Sequence, residues 1–308
     1  MKTLQQYTKQ RTVMVVGDAM LDRYWLGSIN RKASEKDIPI VSIDSIVDEL
    51  GGSASVAVKA AALGMRVHLM GSVGQDLAGR RIKTLCHRNG IEWHGQIVDK
   101  TIVKTRMMSG DEVISRADQD VDLSGKENRL LLEAQTIMPQ CDVLIIADYN
   151  KGTVNDYQAW INWANKIGCP VFVDTKKASW VSYEGATMIK PNADELLKVS
   201  HAKSMAEAIS MIPDLKERYH IPLVWLTLAK DGMQWHGHDE VISLTSKVKS
   251  VVDVTGAGDA SMAMMAALWG DEQTIKQRLS WANLASATAV SYPRNQSIGW
   301  SEIKDYIS

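Results

Sequence analysis

Short runs of β-branched residues alternate with longer stretches of helical periodicity along most of this chain, and no other feature constrains its fold as strongly. Parallel neighbouring strands need a crossover between them, and a helix that makes the crossover covers one face of the sheet. Strands are expected at 13–17, 67–70, 143–147, 171–174, 188–189 and 223–227, with helices at 53–63, 78–88, 126–138, 155–167, 193–199 and 205–218. Further on, strands at 241–244 and 247–252 lead into helices at 258–269 and 274–290. This pattern predicts an α/β fold with a mostly parallel central sheet and helices on both faces. At 308 residues and 45% hydrophobic the chain can bury a large core. No repeat, low-complexity segment or linker divides it, so 1–308 reads as a single domain.

Two stretches break the rhythm. Residues 38–46 alternate apolar and polar, and 92–98, 101–107 and 113–117 read as further short strands joined by tight turns such as Ser109-Gly110-Asp111. Together, strands from about 38–46 and 92–117 predict a small projecting β-sheet. An exposed sheet with one apolar face needs cover, so it would act as a lid over a cleft or as a dimer surface.

The partner expected from charge is a small molecule. A net charge of −1 and the lack of any block of like charge give no basis for nucleic-acid binding. The three cysteines, Cys86, Cys141 and Cys169, lack pairing or metal spacing, which fits reduced thiols in a cytoplasmic protein. Residues 1–12 are polar, and no uninterrupted apolar run approaches the length of a membrane span. The seven histidines show no ligand spacing, so no zinc site is expected, and the ten tryptophans are scattered as core residues would be.

The run Asp253-Val254-Thr255-Gly256-Ala257-Gly258-Asp259 carries the chemistry. Gly256 and Gly258 let a ligand approach the backbone where a helix begins, so the amides of Gly256, Ala257 and Gly258 can point at one anion. Asp259, in the first turn, is placed to accept a proton from an attacking hydroxyl. An ordinary glycine-rich strand-to-helix turn is the plainer reading. A dinucleotide fingerprint is excluded because Ser261 stands where Gly or Ala is required, and no P-loop motif occurs. Asn192 and Glu195, three apart at a helix start, put two oxygen-bearing side chains on one face, which suits water-mediated Mg²⁺ and equally suits a helix cap.

Gly51-Gly52 before a helix, Gly71-Ser72-Val73-Gly74-Gln75-Asp76-Leu77-Ala78-Gly79, Asn192-Ala193-Asp194-Glu195 and Gly256-Ala257-Gly258-Asp259 follow the order seen in the ribokinase (PfkB-type) sugar kinases, which the whole chain resembles. Within that family, segments 15–25, 147–152 and 173–176 are similar to kinases that phosphorylate heptose 7-phosphate at O1. The resemblance implies a ribokinase-like fold, ATP- and Mg²⁺-dependent transfer to a sugar hydroxyl, and a β lid that joins homodimers. It makes Asp259 the base and Gly256, Ala257 and Gly258 the anion hole, with Mg²⁺ held through water at Asn192 and Glu195. Thr227, Lys230, Gly232 and Asn283 then lie beside ATP, with Ala229 where Gly is usual. Asp253 matches a residue that holds a monovalent cation such as K⁺, although 292–299 departs from the usual companion loop.

On the acceptor side the likeness makes Asp22 a carboxylate that grips sugar hydroxyls, while Gly51 and Gly52 admit the sugar to the backbone. Ser55 stands where Asn is expected. Lys104, Arg106, Arg116 and Lys176 are candidates for a sugar phosphate, Lys176 foremost. Another PfkB-type sugar or nucleoside kinase, or a silent sugar- or nucleotide-binding homologue, is the alternative. Because the chain ends without the nucleotidyltransferase half of some heptose enzymes, adenylyl transfer is not expected.

Overall fold

Strand β1 (Thr12–Gly17) is buried at every position after its first, as a strand covered on both faces must be. Val13 and Val15 pack into one hydrophobic cluster and Met14 and Val16 into another, so the period-two alternation of a strand separates two cores. The computed structural model describes residues 2–123 and 129–307. Ahead of β1 lies helix α1 (Lys2–Thr8), for which the polar residues 1–12 gave no signal.

After β1 come β2 (Ala19–Lys32), β3 (Pro39–Gly52), α2 (Ser53–Ala62), β4 (Arg66–Gly74), α3 (Leu77–Arg88) and β5 (Ile91–Val98). The hairpin β6 (Ile102–Ser109) and β7 (Glu112–Gln119) precedes α4 (Leu130–Ile137), β8 (Val143–Ala147), α5 (Tyr157–Lys166), β9 (Val171–Asp174) and β10 (Met188–Ile189). Next are α6 (Ala193–Ser200), α7 (Met205–Ser210), α8 (Ile212–Arg218), β11 (Leu223–Thr227), β12 (Met233–His236) and β13 (Val241–Leu244). The chain closes with α9 (Ala257–Leu268), α10 (Ile275–Ala289) and α11 (Trp300–Ile307).

The large sheet has nine strands in the order β13-β12-β11-β10-β9-β8-β1-β4-β5. It is parallel from β5 to β11 and ends in an antiparallel edge, β12 and β13. Residues of α2, α9 and α10 fill one face, where Trp225 is buried; those of α4 to α8 fill the other, where Trp160 and Trp180 are buried. The α/β expectation and the mostly parallel sheet agree with this architecture.

A second sheet, ordered β3-β2-β6-β7, projects from the first. Its pairings are antiparallel except for β2 with β6, which run parallel. Its membership differs from the expected one. Residues 92–98 pair with β4 at the edge of the large sheet, and β2 supplies the missing lid strand. The first four residues of β2 are all buried, so the strand begins without the alternation that would have revealed it.

Three other expectations change. Residues 247–252 form no strand, and Val251 and Val252 are exposed. The helix expected over 205–218 is two helices, because Pro213 near the start of α8 lacks the amide that a continuous helix needs. The helix expected from 126 is described from Leu130 onward; its earlier part lies outside the described residues.

Gly52 joins the lid to the body. Its φ of +59° is left-handed, and a Cβ there would lie 2.1 Å from the Asp18 carbonyl oxygen. The same oxygen accepts the Ser53 amide at 3.0 Å and so fixes the start of α2. Gly52→Ala is expected to lower the unfolding free energy by about 2–3 kcal/mol. Urea denaturation measures this; a loss under about 1 kcal/mol would mean that the junction yields.

Candidate active site

The carboxyl ends of parallel strands are where ligand clefts form in α/β sheets, since the connecting loops diverge there. Asp174 ends β9, Lys190 follows β10, Thr227 ends β11, and Tyr149 lies just beyond β8. The lid brings Met20 and Asp22 on β2 and Lys104 and Arg106 on β6 to the same place, and α9 brings its first turn. These residues line a cavity of about 340 Å³.

The α9 turn has the form its small residues suggested. Gly256 is left-handed at φ 77°, and α9 begins there without a side-chain cap. The first amides of a helix lack intrahelical acceptors, so those of α9 are available to an anion. A Cβ on Gly256 would come within 2.2 Å of Asn295 Oδ1 and 2.8 Å of Lys59 Nζ; one on Gly258 would come within 3.2 Å of Lys190 Nζ. The turn is therefore glycine-bearing partly because polar side chains press against it.

Asp259 is buried but lines the cavity. Its Oδ1 accepts from the Tyr149 hydroxyl at 3.1 Å, and its Oδ2 accepts from Ser55 Oγ at 2.5 Å. Lys59 Nζ donates to Ser55 Oγ at 2.9 Å and to Asn295 Oδ1 at 2.6 Å. A fully enclosed cation thus stands one hydroxyl away from the candidate base. Burial pulls the Lys59 ammonium below its usual range, against the attraction of Asp259, Glu49 and Asp22. Burial, with Asp259 beside it, raises the Tyr149 phenol well above its ordinary value and keeps it a hydrogen-bond donor.

Ser55 is therefore not a shortened substitute for a sugar-binding Asn. It is fully buried and does not line the cavity; its hydroxyl is spent on Asp259. Gly51 also differs from expectation. A Cβ there would lie 2.3 Å from Asp22 Oδ2, so its small size makes room for Asp22, while Gly52 lines the cavity itself. Asp22 Oδ1 accepts from Arg106 Nη1 at 2.9 Å across the lid. Burial opposes the Arg106 charge, but Asp22 outweighs it and raises the guanidinium above its usual value. Lys104 lines the cavity, and its ammonium is lowered by burial and by Arg116. Arg116 is paired with Asp118 and does not line the cavity.

Across the cavity, Asn192 and Glu195 make both arms of a capping box at the start of α6. Glu195 also accepts from Lys176 Nζ at 2.6 Å, and burial notwithstanding, Asp174 and Glu195 raise the Lys176 ammonium above its usual value. Lys176 thus stands beside the candidate metal ligand and not at the acceptor end. Glu195 accepts from Asn192 N, Asn192 Nδ2 and Lys176, three donors for about four lone-pair sites, so one water bridging to Mg²⁺ fits. Thr227 lines the cavity, but Lys230, Gly232 and Asn283 do not. Lys230 is exposed, Gly232 holds φ 94° against the Leu244 carbonyl, and Asn283 is buried, donating to Thr245 O at 2.7 Å. Ala229 adopts φ 48°, a left-handed backbone that explains why Gly suits that position. Asp253 accepts from Thr255 N and Oγ1 and from Arg294 N, so a monovalent cation would share its carboxylate with them.

Tyr149, Lys190, Asn295 and Lys59 join the site without having been expected there. Lys59 alone left a clear trace, as the single charge in the otherwise small and apolar run of α2. Lys190 Nζ lies 3.2 Å from Asp174 Oδ1, so the cavity cations pair with carboxylates except for Lys104, which has no ion pair among the described residues.

A model of the pfkB family carbohydrate kinases matches residues 10–301. The bifunctional protein HldE of Stutzerimonas stutzeri is 32% identical over 299 residues, 96% of this chain and 63% of that protein. Its counterpart in Coxiella burnetii is 35% identical over 289 residues, 92% of this chain and 61% of that protein. The chain therefore spans less than two thirds of these relatives. A carbohydrate kinase from Agrobacterium tumefaciens is similar in structure with a TM-score of 0.76 at 19% identity, covering 96% of this chain and 97% of that one. Arabidopsis thaliana ribokinase complexed with ribose and ATP gives 0.75 at 16% identity, covering 97% and 98%. At such identities the likeness shows a ribokinase-like fold.

Arg106→Met leaves the Asp22 carboxylate buried without its partner and is expected to lower stability by about 3 kcal/mol. Adding Asp22→Asn should recover most of the loss. A double variant no more stable than Arg106→Met would mean that packing of Arg106, which lies over the Tyr24 ring, sets the cost.

Proposed function

The chain belongs to the pfkB family of carbohydrate kinases, and we propose that it transfers the γ-phosphoryl group of ATP to O1 of heptose 7-phosphate, with a related sugar, sugar phosphate or nucleoside as the nearest alternative. The observation that carries this reading is that Asp259, the open amides of α9, and the lid residues Asp22 and Lys104 face one cavity. Asp22 would accept from sugar hydroxyls, while Arg106 holds it in place. Lys104, a cation without an ion pair among the described residues, would meet the acceptor's own phosphate. The attacking hydroxyl would donate to Asp259 Oδ1 alongside Tyr149, and its proton would pass to that carboxylate as the O–P bond forms. The amides of the Gly256–Gly258 turn, with Lys190 beside them at the cavity, would stabilise charge on the migrating group. Mg²⁺ at the Asn192–Glu195 side, when bound, neutralises the ATP phosphates.

A silent binding homologue is the second reading, favoured by Ser55 and Tyr149 already occupying both Asp259 oxygens. Release of ADP from Mg-ATP over a panel of heptose 7-phosphate, ribose, fructose and nucleosides separates the two. Asp259→Asn is expected to lower kcat by about 10²- to 10⁴-fold. Lys59→Met should lower kcat about tenfold or more and leave KM for ATP unchanged. Turnover that is absent with every acceptor, or equal in wild type and Asp259→Asn, would sink the kinase reading; turnover with ribose but not heptose 7-phosphate would sink the narrower one.

We also propose that the lid face joins a homodimer. Ile29, Ile43 and Ile46 are exposed on β2 and β3, and isolated apolar strands of this kind seek cover. Light scattering should give the mass of two chains, and Ile46→Glu should give one; a monomeric wild type would overturn the idea.

A further inference from the structure

Toward the start of β4 and β5, at the end of the strands opposite the cavity, two histidines and a glutamate converge. His68 lies opposite Glu92 in the parallel register, and Glu92 and His94, two apart, share a face of β5. His68 Nδ1 is 3.1 Å from His94 Nε2 and 3.4 Å from Glu92 Oε2, and the three donor atoms all lie within 4.8 Å of one another. Ligands about 2.0–2.1 Å from a tetrahedral ion are roughly 3.3 Å apart, so both short separations match ligand edges.

The surroundings prepare each donor. The other nitrogen of His94, Nδ1, meets Glu133 Oε1 on α4 at 2.9 Å, the carboxylate–imidazole arrangement that orients the ring and aims its free nitrogen. Arg66 Nε takes Glu92 Oε1 at 2.9 Å and leaves Oε2 toward the histidines. His68 is buried, its Nε2 has no hydrogen-bond partner among the described residues, and its Nδ1 faces Glu92 and His94.

We propose that His68 Nδ1, Glu92 Oε2 and His94 Nε2 form a three-ligand site for a divalent transition-metal ion of the zinc class, separate from the phosphoryl-transfer cavity. Water completes the fourth position from the solvent side, where Glu92 and His94 are partly exposed. The bound ion fastens the edge strand β5 to β4 and, through Glu133, to α4. Sequence spacing hides such a site because its ligands come from two strands.

The full chain, stripped with a chelator and titrated with Co²⁺ or Zn²⁺ without nucleotide, should take up one ion per chain. Co²⁺ should show the intense visible bands of a four-coordinate site. At an ion concentration about 100 times Kd, Tm should rise by several degrees. His94→Ala should abolish uptake, and Glu133→Gln should weaken it about 10- to 100-fold with the circular dichroism unchanged. Glu195→Gln, on the nucleotide side, should leave it unaltered. No uptake by wild type, or equal uptake in wild type and His94→Ala, would overturn the proposal and reduce the cluster to a hydrogen-bonded histidine pair. None of these readouts depends on kinase activity, so they fail or succeed apart from the assignment of the cavity.

Discussion

One buried ammonium organises the candidate active site. Lys59 comes from α2, its acceptor Asn295 from the loop before α11, and the Ser55 hydroxyl between them passes the interaction to Asp259 on α9. An enclosed charge is tolerable only where its donors find partners, so these three segments must be in register for the chain to fold. The same requirement puts Asp259 at the cavity with one oxygen turned away and the other beside Tyr149. Gly256 follows from it as well: any side chain there would collide with the ammonium and the amide that hold the base.

The lid and the body meet through a comparable arrangement of opposite charges. Asp22 and Arg106 lie on neighbouring parallel strands of the small sheet, while Glu49 on β3 accepts from Arg294 and Asn295. Glu49 thus connects the lid to the loop that carries the Lys59 acceptor. Around the cavity, most cations pair with a carboxylate at short range, and two departures mark its chemistry: Asp259 is hydrogen-bonded to a hydroxyl that Lys59 also holds, and Lys104 makes no ion pair among the described residues. A cavity so nearly neutral selects ligands by where individual charges stand, not by net field.

How much of this was legible depends on whether the chemistry is local. The α9 turn could be read because only small residues permit it, and the central strands because burial on both faces demands β-branched runs. Strand β2 was obscured because its first residues are buried on both faces while its far end is polar. The 92–98 strand was read correctly as a strand and placed in the wrong sheet, since pairing is decided by crossovers that no short window contains. Ser55 looked like a weakened ligand because its true partner is 204 residues away. Pro213 was visible, yet the two helical halves share a periodicity that concealed the break.

The long strands of the lid give it the mechanics of a cantilever. β2 is clamped at its root, where Ala19 to Asp22 are buried, and free at its tip, where its last residues are exposed. A load applied at the tip of a clamped beam produces large deflection there and little near the root. Any partner that grips the outer lid would therefore shift its tip while scarcely moving Asp22 and the paired Lys104 at the cavity, and partner grip and ligand grip become separable properties of one continuous strand.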